Sequence, residues 1–341
     1  MQHPPITVDI AVVQGMLSAA RRIRSNDWIV ALVASCDIPC QLLDHPRGRV
    51  TGEQYVRLFW KLMDELDDEC LGHMSRPMRR GSFALVTRST CGAPNVRVAL
   101  HRIAQSLDLL GEDLCVQVVQ SEQAVGLSWS MRGSHPEPQN FLYEMLMRVV
   151  WRLVAWLHGG RLIPLQCDFS FPRPHYADIY SEIFPGLLAF DQTSSTIWFD
   201  RAQTEKSIHR TPNDLERFLQ GSPGNVILPW LGERATSTRA YGLLRLACPH
   251  WPDLNTAARS LHLAPSTLQR HLAQEGTSFQ ALKDKLRRDL AITFLNTTDK
   301  PLSAIAIELG FSDSATFQRA FKGWTGSTAG HYRKGTMPSH F

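Results

Sequence analysis

No stretch of this chain approaches the roughly 18 to 20 consecutive apolar residues that a membrane-crossing helix needs, and the opening MQHPPITVDIAVV lacks the basic n-region of a secretory signal. A cytoplasmic location is therefore the expectation. There is no GxGxxG, Walker A loop or HExxH to hold a dinucleotide, a nucleoside triphosphate or a zinc ion. There is no GxSxG nucleophile elbow either, so HGG at 158–160, which is like the oxyanion segment of some esterases, reads instead as a helix end with glycine at the stop. His73, His101 and His209 stand isolated, and no catalytic set assembles around them. The chain is expected not to be an enzyme.

Disulfides are equally poorly supported. The seven cysteines are odd in number and scattered, which fits reduced, buried thiols better than a covalent framework. Cys36 and Cys40 form the single close pair, but CDIPC is not a CxxC spacing and no second Cys/His pair follows, so neither a metal nor another cofactor is expected. Low-complexity and strongly acidic segments are also missing. With 43% hydrophobic and 20% charged residues the chain is a folded one, and 341 residues favour two domains over one core.

What is present is uneven in charge. Residues 250–341 carry eleven Lys and Arg against seven Asp and Glu, while the preceding residues carry 25 of each, so the whole net charge of +4 sits in the last quarter. A basic region is the electrostatic footprint of a phosphate-binding surface, although a solvated face can also produce one.

The first two hundred residues mix helical and strand patterns. Helical spacing runs through 10–24, 53–70, 95–110 and 140–158; LCVQVV (114–119) and AVGLSWS (124–130) read as a hairpin, Leu165 to Phe171 alternate, and TIWF (196–199) is a further short strand. This predicts an α+β effector and dimerisation domain over 1–220. A Gly, Pro, Ser and Thr collection at 221–238 marks the linker, and 239–341 read as helix throughout.

In that last segment one pattern occurs twice. Leu254, Ala257, Ala258 and Leu261 recur at i, i+3, i+4 and i+7, an HLA turn follows, and Pro265 opens a second helix with Leu268 and Leu272 inward. Leu302, Ile305, Ala306 and Leu309 repeat the stripe; Gly310 permits the left-handed turn, Ser312 is the expected N-cap, and Phe317, Phe321 and Trp324 form the apolar side of the next helix. Thr277 and Gln280 read as a capping box opening a longer helix from about 278 to 296. The prediction is an all-α domain with two helix–turn–helix motifs, about 252–275 and 301–324, joined by a long helix. Its roughly 19 residues span about 28 Å, comparable with the roughly 34 Å between successive major-groove faces on one side of a duplex.

AxxLxLAPSTLQRHLAQEGTSFQ (258–280), IAIELGFSDSATFQRAFKGWTG (305–326) and HYR (331–333) resemble the DNA-binding domain of AraC/XylS-type bacterial transcription regulators. QYVRLFWKLM and CDFSFPRPHYADIYSEIFPG in the N-terminal part are similar, more weakly, to the effector domain of the ornithine-utilisation branch of that family. The resemblance implies a sequence-specific regulator of promoter DNA, controlled by a small-molecule effector, acting as a homodimer and activating through RNA polymerase. It places base contacts at Ser266, Thr267, Gln269 and Arg270 and at Asp313, Ser314, Thr316 and Gln318. Lys283, Arg287, Arg319 and Lys322 are expected at phosphates, which fix register without reading sequence.

Three departures from the family pattern stand out: His262 replaces the usual turn glycine, Ala264 replaces a Ser or Thr cap, and Ala329 replaces a proline. For the effector, RPMRRGSF (76–83) offers Arg76, Arg79 and Arg80 to an anion, or else forms a solvated basic loop. The Met- and Trp-rich helix around 140–158 lines a ligand or a dimer interface, or is plain core. A regulator responding to a partner protein, and an enzyme fused to a DNA-binding module, are the competing readings.

Overall fold

The computed structural model describes residues 7–45, 48–133, 140–160, 162–228, 236–274 and 277–336; part of the expected linker, 229–235, lies outside them. The chain forms two compact units. One comprises Gln14–Ile29 and Val56–Pro229; the other comprises Met1–Val13, Val30–Tyr55 and Trp230–Phe341.

The unit of Gln14–Ile29 and Val56–Pro229, the sensory unit of the sequence-based expectation, is built on a five-stranded sheet. With β1 (Thr7–Asp9) and β2 (Arg49–Thr51) belonging to the other unit, its strands are β3 (Leu114–Gln120), β4 (Ala124–Met131), β5 (Gln166–Asp168), β6 (Leu187–Ala189) and β7 (Ser195–Asp200), in the order β3-β4-β7-β5-β6. The expected hairpin is present, with Val116 opposite Trp129 and Val118 opposite Leu127. Among the described strands only β5 and β6 run parallel. Val125, Leu127 and Trp129 are fully buried, and the small Gly126 and Ser128 between them are buried on the other face.

Helices Val96–Leu110 and Asn140–Leu157 pack on this sheet, against β3 and β7 respectively. The second is apolar nearly all round, and Met147, Trp151 and Val154 are sealed inside. It ends where Gly159 and Gly160 adopt φ of 90° and 80°, and the Gly160 N–H returns to the Ala155 carbonyl at 2.7 Å. HGG is therefore a helix stop, as the missing nucleophile elbow implied. None of the seven cysteines is in a disulfide, but the expectation of buried thiols holds for Cys36, Cys70 and Cys167 alone; Cys91 is exposed. Among the described residues no helix is long and apolar enough to cross a membrane.

Among the described residues the C-terminal part of the other unit holds seven helices: Thr236–Leu246, Leu254–Ser260, Pro265–Gln274, Phe279–Thr297, Leu302–Glu308, Ser314–Thr325 and Ala329–Thr336. Ala257, Ala258, Leu268, Leu272, Leu282 and Leu286 share one core with Tyr241 and Leu244 of the first helix. Around the second motif Ile305, Leu309, Phe317, Phe321 and Tyr332 are closed to solvent, and the Phe321 and Tyr332 rings meet edge to face at 5.4 Å.

A two-stranded ribbon from the N-terminal part belongs to this unit: β1 pairs antiparallel with β2, and both pack on the long helix Phe279–Thr297. The contact is polar and buried. Thr7 Oγ1 donates to the Asp289 carboxylate at 2.7 Å and accepts from Arg49 Nε at 2.8 Å, while the Tyr332 hydroxyl donates to the Arg49 carbonyl at 2.9 Å and accepts the Arg49 N–H at 3.0 Å. Each buried charge and amide in this set has a partner, the condition under which a polar interior is tolerated.

Candidate nucleic-acid interface and effector cavity

The two helix–turn–helix copies turn through the same backbone conformation by different residues. In the first, His262 has φ of 57° and the Leu263 N–H bonds to the Ala258 carbonyl at 2.9 Å; in the second, Gly310 has φ of 68° and the Phe311 N–H bonds to the Ala306 carbonyl at 2.9 Å. Glycine is required at 310 on two counts, since a Cβ there would also meet the Pro249 carbonyl oxygen at 2.8 Å. At 262 a side chain is accommodated at the cost of the left-handed penalty. His262→Gly is therefore expected to stabilise this unit by up to about 1 kcal/mol, read as a higher urea midpoint with unchanged slope. A lower midpoint would mean that the imidazole makes a contact outweighing the strain.

The recognition helix of the first motif, Pro265–Gln274, starts after Ala264, whose carbonyl receives the Leu268 N–H at 2.9 Å but whose side chain has no oxygen with which to cap. Ser266, Gln269 and Arg270 are exposed and Thr267 half-buried, while Leu268 and Leu272 are buried. The four expected base-reading side chains thus leave from the helix side opposite its core stripe.

The second recognition helix, Ser314–Thr325, is capped one residue later than expected. Asp313, not Ser312, is the N-cap: its carboxylate accepts the Thr316 N–H at 2.7 Å and the Thr316 hydroxyl at 2.8 Å, and Ser312 only donates its hydroxyl to it at 3.0 Å. These bonds, led by that from the Thr316 amide, hold the Asp313 carboxyl down at about 2. A carboxyl depressed in the folded state contributes above its ordinary value near 3.8 and stops contributing as pH falls through about 2, so this cap is intact throughout the neutral range. Arg319 Nη2 adds a bond to the Thr316 hydroxyl at 3.1 Å. Asp313, Thr316 and Arg319 therefore work together at the front of the helix, while Ser314 and Gln318 are half-buried and Lys322 is exposed.

The long connecting helix likewise begins from Ser278, which accepts the Ala281 N–H at 3.1 Å, and not from a Thr277 capping box. Two of the expected phosphate-contacting cations lie on it. Lys283 sits 5.9 Å from the Trp251 ring, and burial, reinforced by repulsion from Arg287, lowers its pKa. Arg287 is committed to structure: its guanidinium lies between the Trp251 and Phe311 rings at 4.6 and 4.7 Å, with Nε donating to the Leu309 carbonyl at 3.1 Å and Nη2 to the Gly310 carbonyl at 3.3 Å. Sequence reasoning assigned it to a phosphate because its partners in the fold include backbone carbonyls, which carry no sequence signal.

The sensory unit contains a cavity of about 250 Å³. Phe59, Trp60 and Met63 line it from helix Gly52–Leu66, Phe83, Ala84 and Val86 from helix Ser82–Ser89, and Met145, Leu146, Val149, Val150 and Leu153 from helix Asn140–Leu157. The Met-rich helix is thus both core and cavity wall. The three arginines of 76–80 do not converge there: Arg76 pairs with Glu112 at 2.5 Å, Arg79 is exposed, and Arg80, which does line the cavity, pairs with Asp64 and lies 5.3 Å from the Trp60 ring. Glu69, also in the wall, accepts the Gly81 and Phe83 N–H groups at 2.6 Å each and so caps helix Ser82–Ser89; burial raises its pKa, and these two bonds offset part of the rise.

Two helix–turn–helix motifs on one rigid connecting helix, in a chain with a separate cavity-bearing unit, define a DNA-binding protein with a sensory part. The comparisons with known proteins place it further. The arabinose-binding domain of AraC transcription regulators matches residues 29–207 and a helix-turn-helix domain matches 257–335, and the chain belongs to the AraC family of transcription regulators. It is 25% identical to the ornithine utilization regulator of Pseudomonas aeruginosa over 305 residues, 89% of this chain and 90% of that one. It is 36% identical to the regulator VqsM of the same organism over 83 residues, 24% of this chain and 26% of that one. The crystal structure of the transcriptional regulator CdpR from P. aeruginosa aligns with 98% of this chain and 99% of its own at 22% identity and a TM-score of 0.33.

Proposed function

We propose that this regulator binds promoter DNA as a homodimer in the cytoplasm, reads two successive major-groove segments with Pro265–Gln274 and Ser314–Thr325, and activates transcription through RNA polymerase when a small molecule occupies the sensory unit. The observation that carries the reading is the pairing of the two helices on one connecting helix of 19 residues, each with its apolar side buried and short polar side chains turned away from that core. Ser266, Thr267, Gln269 and Arg270 are the base-reading set of the first motif; Arg270 suits guanine and Gln269 adenine. In the second, Ser314 and Gln318 read bases, and Asp313 and Thr316 shape the leading turn that carries them. Lys283, Arg319 and Lys322 take phosphates; Arg287 is left out of that set because its guanidinium is already engaged.

The mechanism is a population shift: the effector binds one arrangement of the sensory unit better and so biases how the DNA-binding units engage the promoter. No catalytic activity enters this reading. Purified full-length protein mixed with sheared genomic DNA at near-physiological salt is expected to retain a few loci sharing half-sites about one helical turn apart. Uniform, salt-sensitive retention of all fragments would leave phosphate binding alone standing.

A further inference from the structure

The name of one relative points to ornithine and the matched domain to arabinose, both polar metabolites, yet the cavity wall is made mostly of aromatic, aliphatic and thioether side chains. We propose that this cavity takes an uncharged, largely apolar molecule of about ten non-hydrogen atoms, and that this molecule is the effector; the second clause rests on the effector-controlled reading above.

Size follows from comparison. An apolar cavity of roughly 150 Å³ accommodates benzene, so 250 Å³ scales to a medium-length aliphatic chain or a small fused aromatic. Shape tolerance comes from Met63, Met78 and Met145, whose flexible thioethers re-pack around different outlines.

Charge is argued from the charged and polar groups among the lining residues, chiefly Glu69, Arg80, Ser222 and the Gly81 backbone. A carboxylate would meet Glu69 in the wall and would have to displace Asp64 to reach Arg80. An ammonium would leave water for one half-buried carboxylate that two backbone N–H groups already occupy, with the Arg80 guanidinium close enough to act on the same carboxyl. A sugar or an amino acid would lose hydrogen bonds to water that this wall does not replace. One neutral hydroxyl donating to the Ser222 oxygen, whose own proton goes to Asn225 Oδ1 at 3.0 Å, is the polarity the site supports.

The test compares nonan-1-ol, octanoate and nonylamine, each of about ten non-hydrogen atoms, on the full-length protein by calorimetric titration and thermal melting. Nonan-1-ol is expected to bind and raise the melting temperature, with octanoate and nonylamine at least tenfold weaker. Ala84→Phe and Val149→Phe, each placing a ring in the existing space, are expected to weaken nonan-1-ol at least tenfold while the protein still melts cooperatively; two variants guard against one misfolding. Octanoate binding tighter than the alcohol and lost in Arg80→Ala would replace the neutral site by an anion site, and nonylamine binding tighter and lost in Glu69→Gln would replace it by a cation site. Failure of all three probes, or alcohol binding untouched by both filled variants, would overturn the proposal.

Affinity for the DNA fragments recovered from the genomic selection separates the two clauses. Alcohol bound in the cavity with DNA affinity unchanged upholds the ligand class and defeats effector control. DNA affinity that responds to L-ornithine or L-arabinose in Ala84→Phe as well as in the unaltered protein overturns the ligand class and leaves effector control standing.

Discussion

Arg270→Ala is expected to reduce affinity for the recovered operator by roughly tenfold to a hundredfold, the cost of one bidentate base contact, and to change affinity for random DNA by no more than a few fold. Lys322→Ala is expected to do the opposite: weaken both DNAs by a similar factor and reduce the slope of log affinity against log salt by about 1. The assignments follow from position. Arg270 is exposed on the first recognition helix beside Gln269, on the side away from Leu268 and Leu272. Lys322 is exposed in the last third of the second recognition helix, away from the capped front where Asp313 and Thr316 sit. Titrations of both variants at several salt concentrations, on operator and on scrambled DNA, decide the matter. If the two substitutions changed specificity and salt slope alike, the division between base readers and phosphate contacts would fall.

The pattern of the two motifs was readable from sequence because it rests on spacing. Ile305, Ala306 and Leu309 are buried as their periodicity requires, and so are Ala257, Ala258 and Leu261. The left-handed turn was readable from Gly310, and His262 adopts it too because the bond from Leu263 back to Ala258 closes the helix in the same way. The caps moved by one residue, from Ser312 to Asp313 and from Thr277 to Ser278. Both members of each pair are competent cap residues, so only the backbone geometry chooses between them. β5 lies inside the alternating stretch from Leu165 to Phe171, whereas β1, β2 and β6 are three residues each, too short for alternation to announce on its own. That was decisive for the N-terminal ribbon, whose Thr7 meets Asp289 across 282 positions of sequence.

The cavity was illegible for another reason. Its wall comes from separated helices, and Val149, Val150 and Leu153 satisfy the same helical spacing whether they face solid core or empty space. The arginine-rich loop gave the louder signal, because sequence shows charges but not the carboxylates that pair with two of them. Glu112 lies 36 positions from Arg76 and Asp64 lies 16 from Arg80.

Arg287→Ala is expected to lower the stability of the DNA-binding unit by about 2 to 3 kcal/mol, combining charge-assisted bonds to two carbonyls with cation–π contacts on both faces, discounted for partial exposure. At roughly 2 to 4 °C per kcal/mol for a unit of this size, its melting transition should fall by about 5 to 10 °C. The reason is what the side chain ties together: the connecting helix, the Trp251 segment and the turn of the second motif at Leu309 and Gly310. Cys248 contacts the Glu308 carbonyl at 3.4 Å in the same region, so the end of helix Leu302–Glu308 is held from two directions. Loosening it would let the second recognition helix move relative to the first, and operator affinity should drop more than the loss of one charge explains. Arg287→Lys keeps the charge but not the planar fork. It should not restore the melting temperature, and the salt slope of DNA binding should stay unchanged in both variants, because the guanidinium is held by carbonyls and rings within the protein. An Arg287→Ala protein that melts like the unaltered chain, and loses only salt-dependent affinity that lysine rescues, would return this residue to the phosphate-contacting set.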